Sequence, residues 1–275
     1  MNKPRLIFYN GLKLNEAMYW DKKNKLLYFV AIRYNLIYEL DPKTGSVKTY
    51  KTDGPVGGAI VDIAGNIVEA EKSGIYKIDP KTGEKTFVAH FLPYDKMRYN
   101  HLMPDSRGRI LVDVMGDEER HAGDGGLYLL DGSSHRCLID GTTVANGVVL
   151  SDDETKLYFT DTVTKTVQEY DYDINTGNIS NGRTIITMPK DENGKPDGLM
   201  LGKNNTMWIA EWDSGKFSRW SIETGEKLYD IEFPAAHVTS SCIGGDNDEY
   251  IFVATAKREE TDDAPSGGIF RIDNE

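Results

Sequence analysis

Four side chains in this sequence have types that could share one piece of chemistry: Glu16, Asn100, Asn146 and Asp197. Each stands at the head of a short apolar run, followed by a polar turn and a second apolar run. Asn146 gives the clearest instance, heading NGVVLSDDETKLYFTD. Taken singly, Asn-Gly and Asp-Gly read as turn formers. Their recurrence at one position of a repeated unit points elsewhere. If the units are arranged about an axis, the side chains point at one another. Converging carboxylate and amide oxygens suit a hard divalent cation such as Ca²⁺ or Mg²⁺. Such an ion polarises a carbonyl and lowers the pKa of a nearby water. No Cys/His spacing suits a structural zinc.

The elements that must position these residues follow from the repeat itself. Glu16, Gly58, Asn100, Asn146, Asp197 and Ser240 head six units at intervals of roughly 42 to 51 residues, the range of propeller blades rather than helical solenoids. Each unit holds short runs rich in Val, Ile, Tyr, Phe and Leu, broken by Asp, Asn, Gly and Lys. No window sustains a 3.6-residue apolar period with helix caps. The sequence therefore predicts an all-β fold, a six-bladed β-propeller of four-stranded antiparallel blades in one domain spanning 1–275. Turns such as DPKTGSV and DPKTGEK separate third from fourth strands, with Pro presetting φ and Gly supplying a positive one. The sixth unit stops at FRIDNE, after its third strand. The N-terminal PRLIFYNG supplies the missing outer strand and closes the ring, which removes exposed sheet edges.

This geometry puts the loops between second and third strands on the same face as the four polar residues. The long loop MGDEERHAGDGG of the third unit lies there, as a candidate lid. Asp113, Asp161 and Glu211 end second strands on that face, as substrate contacts or as residues orienting ligands. Trp212, Tyr19 and Tyr99 are expected near the mouth as an apolar wall.

The bulk composition excludes some classes. A net charge of −12 argues against nucleic acid or an anionic membrane surface as partner. No segment is long and apolar enough to span a bilayer, and the N-terminus lacks the apolar run of a signal peptide. A cytoplasmic protein is the expectation. Cys137 and Cys242 are expected as reduced, buried thiols.

Six short motifs in order now carry a resemblance. They are Asn15-Glu16-Ala17-Met18-Tyr19-Trp20, Arg98-Tyr99-Asn100-His101, Ala145-Asn146-Gly147-Val148, Pro196-Asp197-Gly198, Thr239-Ser240-Ser241-Cys242-Ile243-Gly244-Gly245 and Gly267-Gly268-Ile269-Phe270-Arg271-Ile272. Over essentially its whole length the chain resembles the SMP-30/gluconolactonase/luciferin-regenerating-enzyme family of six-bladed propellers. The resemblance implies that Glu16, Asn146 and Asp197 hold one divalent cation, usually Ca²⁺, with Zn²⁺, Mn²⁺ or Mg²⁺ as alternatives. It implies hydrolysis of a small lactone, often a sugar lactone, as the activity. The cation would polarise the carbonyl and Asp197 would position or deprotonate water. Arg98 and Asn100 would hydrogen-bond the substrate, beside His101 and a loop carboxylate, Glu118 or Glu119.

The chain departs from the family at His101, where an Asp is common. A carboxylate is lost there and a group titrating near neutral pH is gained. His121 and His237 read as surface or supporting residues. The partner implied is a small-molecule lactone, and the oligomeric state is left open. Two other readings share the architecture: a propeller that binds a protein or small ligand without catalysis, and an esterase or phosphotriesterase on the same metal site.

Overall fold

The computed structural model describes residues 3–258 and 265–274. The strands form six separate sheets of four antiparallel strands. Blade 1 runs Asn15–Asp21, Leu26–Ala31, Leu36–Leu40 and Val47–Lys51, from the inside outwards. Blades 2 to 5 repeat that order, their inner strands being Val56–Val61, Met97–Pro104, Ala145–Leu150 and Lys195–Gly202. Blade 6 begins with His237–Gly244 and is completed on its outside by Arg5–Tyr9, which pairs with Gly268–Asp273. The expected closure of the ring is observed. Among the described residues the only helical turn is the 3₁₀ segment Ile32–Tyr34.

Instead of one central core there are six apolar layers, each between successive blades. Strand alternation explains this, because odd and even residues of one strand face opposite neighbours. In blade 1, Tyr28 and Val30 pack with Val56 and Ile67 of blade 2. Leu27 and Phe29 pack with Phe252 and Ile269 of blade 6. The same logic joins blades 2 and 3 around Tyr99, 3 and 4 around Leu127, 4 and 5 around Ile209, and 5 and 6 around Phe270. The layers run round the full ring, so every blade is buried on both faces.

The turns on the far face form as their residues require. The Asp41 carboxylate accepts the N–H groups of Lys43 and Thr44, at 2.8 and 3.2 Å, and Gly45 takes φ of +76°.

All six inner strands lose register with their neighbours once, each time near the axis. The interruptions fall between Glu16 and Tyr19, Val56 and Gly58, Tyr99 and Leu102, Asn146 and Val148, Pro196 and Leu199, and Val238 and Ser240. A bulge bends its strand and re-aims a side chain. The Asn-Gly and Asp-Gly pairs therefore lie inside strands, at bulges, rather than at turns.

Candidate functional site

A cavity of about 850 Å³ opens on the face predicted from the repeat. Its floor holds Glu16, Arg98, Asn100, Asn146 and Asp197, from the bulged inner strands of blades 1, 3, 4 and 5. Connections between second and third strands supply Arg33, Glu118, Arg120, Thr162 and Asp213 to its wall, and Trp212 ends the second strand of blade 5 there. In blade 2 the bulge spans Gly57, and in blade 6 it spans Thr239, whose hydroxyl donates to the Asn15 carbonyl at 2.7 Å. Those two blades contribute no carboxylate or amide to the floor.

The floor residues form a directional chain. Arg98 Nη1 donates to Asn100 Oδ1 at 2.6 Å. Asn100 Nδ2 donates to Asn146 Oδ1 at 3.2 Å, and Asn146 Nδ2 donates to Asp197 Oδ1. A guanidinium can only donate, so Arg98 fixes which way both amides point. Gly147 allows the close approach behind the last contact. Its φ is +56°, and a Cβ there would lie 2.5 Å from the Asp197 carbonyl oxygen.

Two carboxyls crowd at the end of this chain. Burial pushes the Glu16 carboxyl up to about 7, against the pull of Arg98 and Arg120. The Asp197 carboxyl is held well above the ordinary range by burial and then by the Glu16 charge, while Asn146 and Arg120 oppose the shift. Burial also lowers Arg98, to about 10, with the Arg120 charge adding to the effect. Arg98 Nε lies 3.9 Å from Asp117 Oδ1 and has no hydrogen-bond partner among the described residues. Asp117 also pairs with Arg33 at 2.8 Å and Lys72 at 3.0 Å, which ties the long loop of blade 3 to blades 1 and 2. Burial works against the Asp117 charge, but those three cations hold it below the usual carboxylate range.

Other residues singled out from the sequence lie apart. Glu118 lines the cavity, whereas Glu119 pairs with Lys96 at 3.1 Å. His101 is not among the cavity-lining residues. Burial lowers its pKa to about 4, and Nδ1 is without a hydrogen-bond partner. Asp113 is fully buried within its strand, Asp161 accepts the backbone N–H groups of Thr143 and Val144, and Glu211 accepts the Ser214 hydroxyl. None of the three lines the cavity. Trp212 does, stacked on His237 at 4.2 Å between centroids. Tyr99, expected beside it, is core instead, its hydroxyl accepting the Phe91 N–H at 2.9 Å. Tyr19 is also off the mouth, packed between blades. His121 is an exposed partner of Glu119 at 3.5 Å. The thiols depart from expectation: Cys137 is exposed on an outer strand and Cys242 only half-buried. The even spacing that marks inner-strand residues carries no information about outer strands, where Cys137 lies.

Sequence reasoning missed the basic side chains of the wall: Lys13, Arg33, Arg120, Lys165, Lys195 and Lys257. They come from separate connections and, for Lys195, a strand start, and keep no common spacing, so no signal in the chain groups them.

Residues 14–257 match the family model of the SMP-30/gluconolactonase/LRE-like region. The chain belongs to this family. Regucalcin of Xenopus laevis is 30% identical over 275 aligned residues, covering 94% of this chain and 90% of that one. Among solved structures, the calcium-binding protein regucalcin from Agrobacterium tumefaciens superposes with a TM-score of 0.92 at 20% identity, covering 99% of this chain and 95% of the other. A gluconolactonase from Xanthomonas campestris superposes with a TM-score of 0.77 at 17% identity, covering 98% of this chain and 89% of the other. Those two likenesses speak for the fold, which SMP-30/gluconolactonase-like proteins share.

Proposed function

We propose that this protein is a divalent-cation-dependent hydrolase that opens a small lactone. The observation that carries the reading is the Glu16–Asp197 pair. Two carboxyls are buried at the floor of one cavity, burial raising both and the Glu16 charge raising Asp197 further. The donor set fits a hard cation: two carboxylates and the Asn146 amide, with no sulfur or imidazole among them. Asn146 turns its NH₂ toward Asp197, so ligation through its oxygen requires the amide to rotate. The cation, most naturally Ca²⁺, would polarise the lactone carbonyl and neutralise charge on the carbonyl oxygen in the transition state.

The chain's own groups account for the remainder. Asp197 accepts the proton of the attacking water. Arg98 locks Asn100 through its Nη1 and brings a positive charge to the cavity floor. Glu118 and Trp212 on the wall bound the ring.

The test is turnover of a lactone panel that includes gluconolactone, after chelation and after restoring Ca²⁺, Mg²⁺, Mn²⁺ or Zn²⁺ singly. Activity that disappears on chelation, returns with one ion and is absent in Asp197→Ala supports the reading. A folded protein that binds the ion yet opens no lactone overturns it.

A further inference from the structure

A divalent cation on the cavity floor would have a buried guanidinium for a neighbour. Glu16, Arg98 and Asp197 line that floor together, and the Arg98 side chain is 4% exposed. Burial works against the Arg98 charge, as do the Arg120 and Arg33 guanidiniums, whereas Glu16 and Asp117 work for it. Glu16 belongs to the donor set of the cation. A divalent ion is the largest local charge in its site and takes up that of its ligands. Asp117 is then the counter-charge on which Arg98 depends. Without it, two like charges would face each other where the low dielectric makes repulsion far stronger than in water.

Asp117 itself is not among the cavity-lining residues, so what it does for the site passes through its partners. Its Oδ1 accepts from Arg33 Nη1 at 2.8 Å and faces Arg98 Nε at 3.9 Å, and its Oδ2 accepts from Lys72 Nζ at 3.0 Å. The Asp117 carbonyl accepts from Arg33 Nη2 at 3.3 Å, and its N–H donates to the Lys96 carbonyl at 2.8 Å. Cations from blades 1, 2 and 3 thus meet on one carboxylate. They do not need it equally. Arg33 and Lys72 are 35% and 36% exposed, so water screens their charge, whereas the buried Arg98 has little such help.

We propose that Asp117 is a positioning residue for cation binding, its charge holding Arg98 on the floor beside a divalent ion ligated by Glu16 and Asp197. This deepens the proposed hydrolase and rests on the cation assigned to it. The same contacts also anchor the loop that runs from Gly116 to Gly125. Charge and anchor are separable, because the charge acts on Arg98 while the anchor is made by Arg33 and Lys72.

Ca²⁺, Mg²⁺, Mn²⁺ and Zn²⁺ are titrated singly, by calorimetry, into chelator-treated wild type, Asp117→Asn, Arg98→Gln, Asp117→Asn/Arg98→Gln and Arg33→Gln/Lys72→Gln. Gluconolactone turnover is followed in parallel. Asp117→Asn keeps the shape and removes the charge. It should bind the cation at least about 5-fold more weakly than the wild type, the lower end of couplings between sites. In the Arg98→Gln background the same substitution should change affinity by less than about 2-fold, since residues that act through one another are not additive. Arg33→Gln/Lys72→Gln cuts the anchor and keeps the charge, and should bind at least as tightly as the wild type. Equal affinity in the wild type and Asp117→Asn overturns the proposal. An undiminished effect of Asp117→Asn once Arg98 is gone does the same, as does a loss in Arg33→Gln/Lys72→Gln that matches the loss in Asp117→Asn. If an Asp117 or Arg98 variant does not fold, Arg33→Gln/Lys72→Gln decides alone, retained affinity supporting the charge role and lost affinity overturning it. A wild type that binds none of the four ions overturns the proposal whatever lactone it opens. The expected pattern of affinities with no lactone opened removes the hydrolase and leaves the role of Asp117.

Discussion

At Asp197, the charge that chemistry needs and the stability of the fold oppose one another. Its carboxyl shares a buried floor with Glu16 and is held well above the ordinary range. Asp197→Asn removes that repulsion while keeping the shape. The variant is expected to melt higher than the wild type in chelator, yet to lose lactone turnover by about 10²–10⁴-fold, the scale of a lost general base. Adding Ca²⁺ should raise the melting point of the wild type alone, by an amount equivalent to about 2.7 kcal/mol at 100 times the dissociation constant. A Ca²⁺ shift of equal size in both proteins would place the ion elsewhere. Two other buried groups give the fold its pH dependence. Burial holds the Asp113 carboxyl well above its usual range, so the folded chain keeps a proton that the unfolded chain releases. Stability is therefore lost as pH rises above the ordinary carboxylate range, and Asp113→Asn should flatten that fall in denaturant midpoints. His101 works in the opposite direction. Its pKa is lowered to about 4 from 6.5, so stability is lost as pH falls between those values, and His101→Asn should remove that part of the acid slope.

At the scale of the strand, the bulge makes the site. Regular alternation would send Asn146 and its neighbours into the layers between blades. The interruption at Asn146–Val148 instead leaves Asn146 facing the axis, while Val148 resumes packing against blade 3. Gly147 at φ +56° is needed because blade 5 comes so near. Gly147→Ala should cost about 1–3 kcal/mol by overpacking and also weaken Ca²⁺ binding, because the displaced atom belongs to Asp197. Denaturant melts and Ca²⁺ titration read the two effects separately; a loss of stability with unchanged affinity would show that the contact serves packing alone. The bulges were not legible in the sequence, since an extra residue in a strand as short as Ala145–Leu150 leaves the apolar pattern readable either way.

At the scale of the molecule, stability depends on a ring whose last sheet is built from both ends of the described chain. Arg5–Tyr9 pairs with Gly268–Asp273, and Phe8 packs on Phe29 and Tyr38 of blade 1 at 5.8 and 5.7 Å. A chain starting at Asn10 should lose about 2 kcal/mol or more, the scale of large core losses. Its uncovered strand edge should also self-associate in size-exclusion chromatography. A shortened chain that stays monomeric with an unchanged melting point would show that the closure is dispensable.

The repeat period, the strand alternation and the turn residues are local properties, and they determined the number of blades, their four-stranded form and the face on which Glu16, Asn100, Asn146 and Asp197 meet. These were legible because each blade solves the same packing problem with the same local pattern. Tertiary structure alone decided which polar residues stayed off the site: Asp161 and Glu211 stand at strand ends but accept local hydrogen bonds, and Asp113, expected at a strand end, lies mid-strand in Ile110–Gly116 and is fully buried. It also decided the basic wall, because Arg33, Arg120 and Lys165 stand in connections between strands and Lys195 at a strand start, and only ring closure brings them together. Loop residues carry no period, and their meeting depends on the angle between blades, a quantity fixed by the packing of all six.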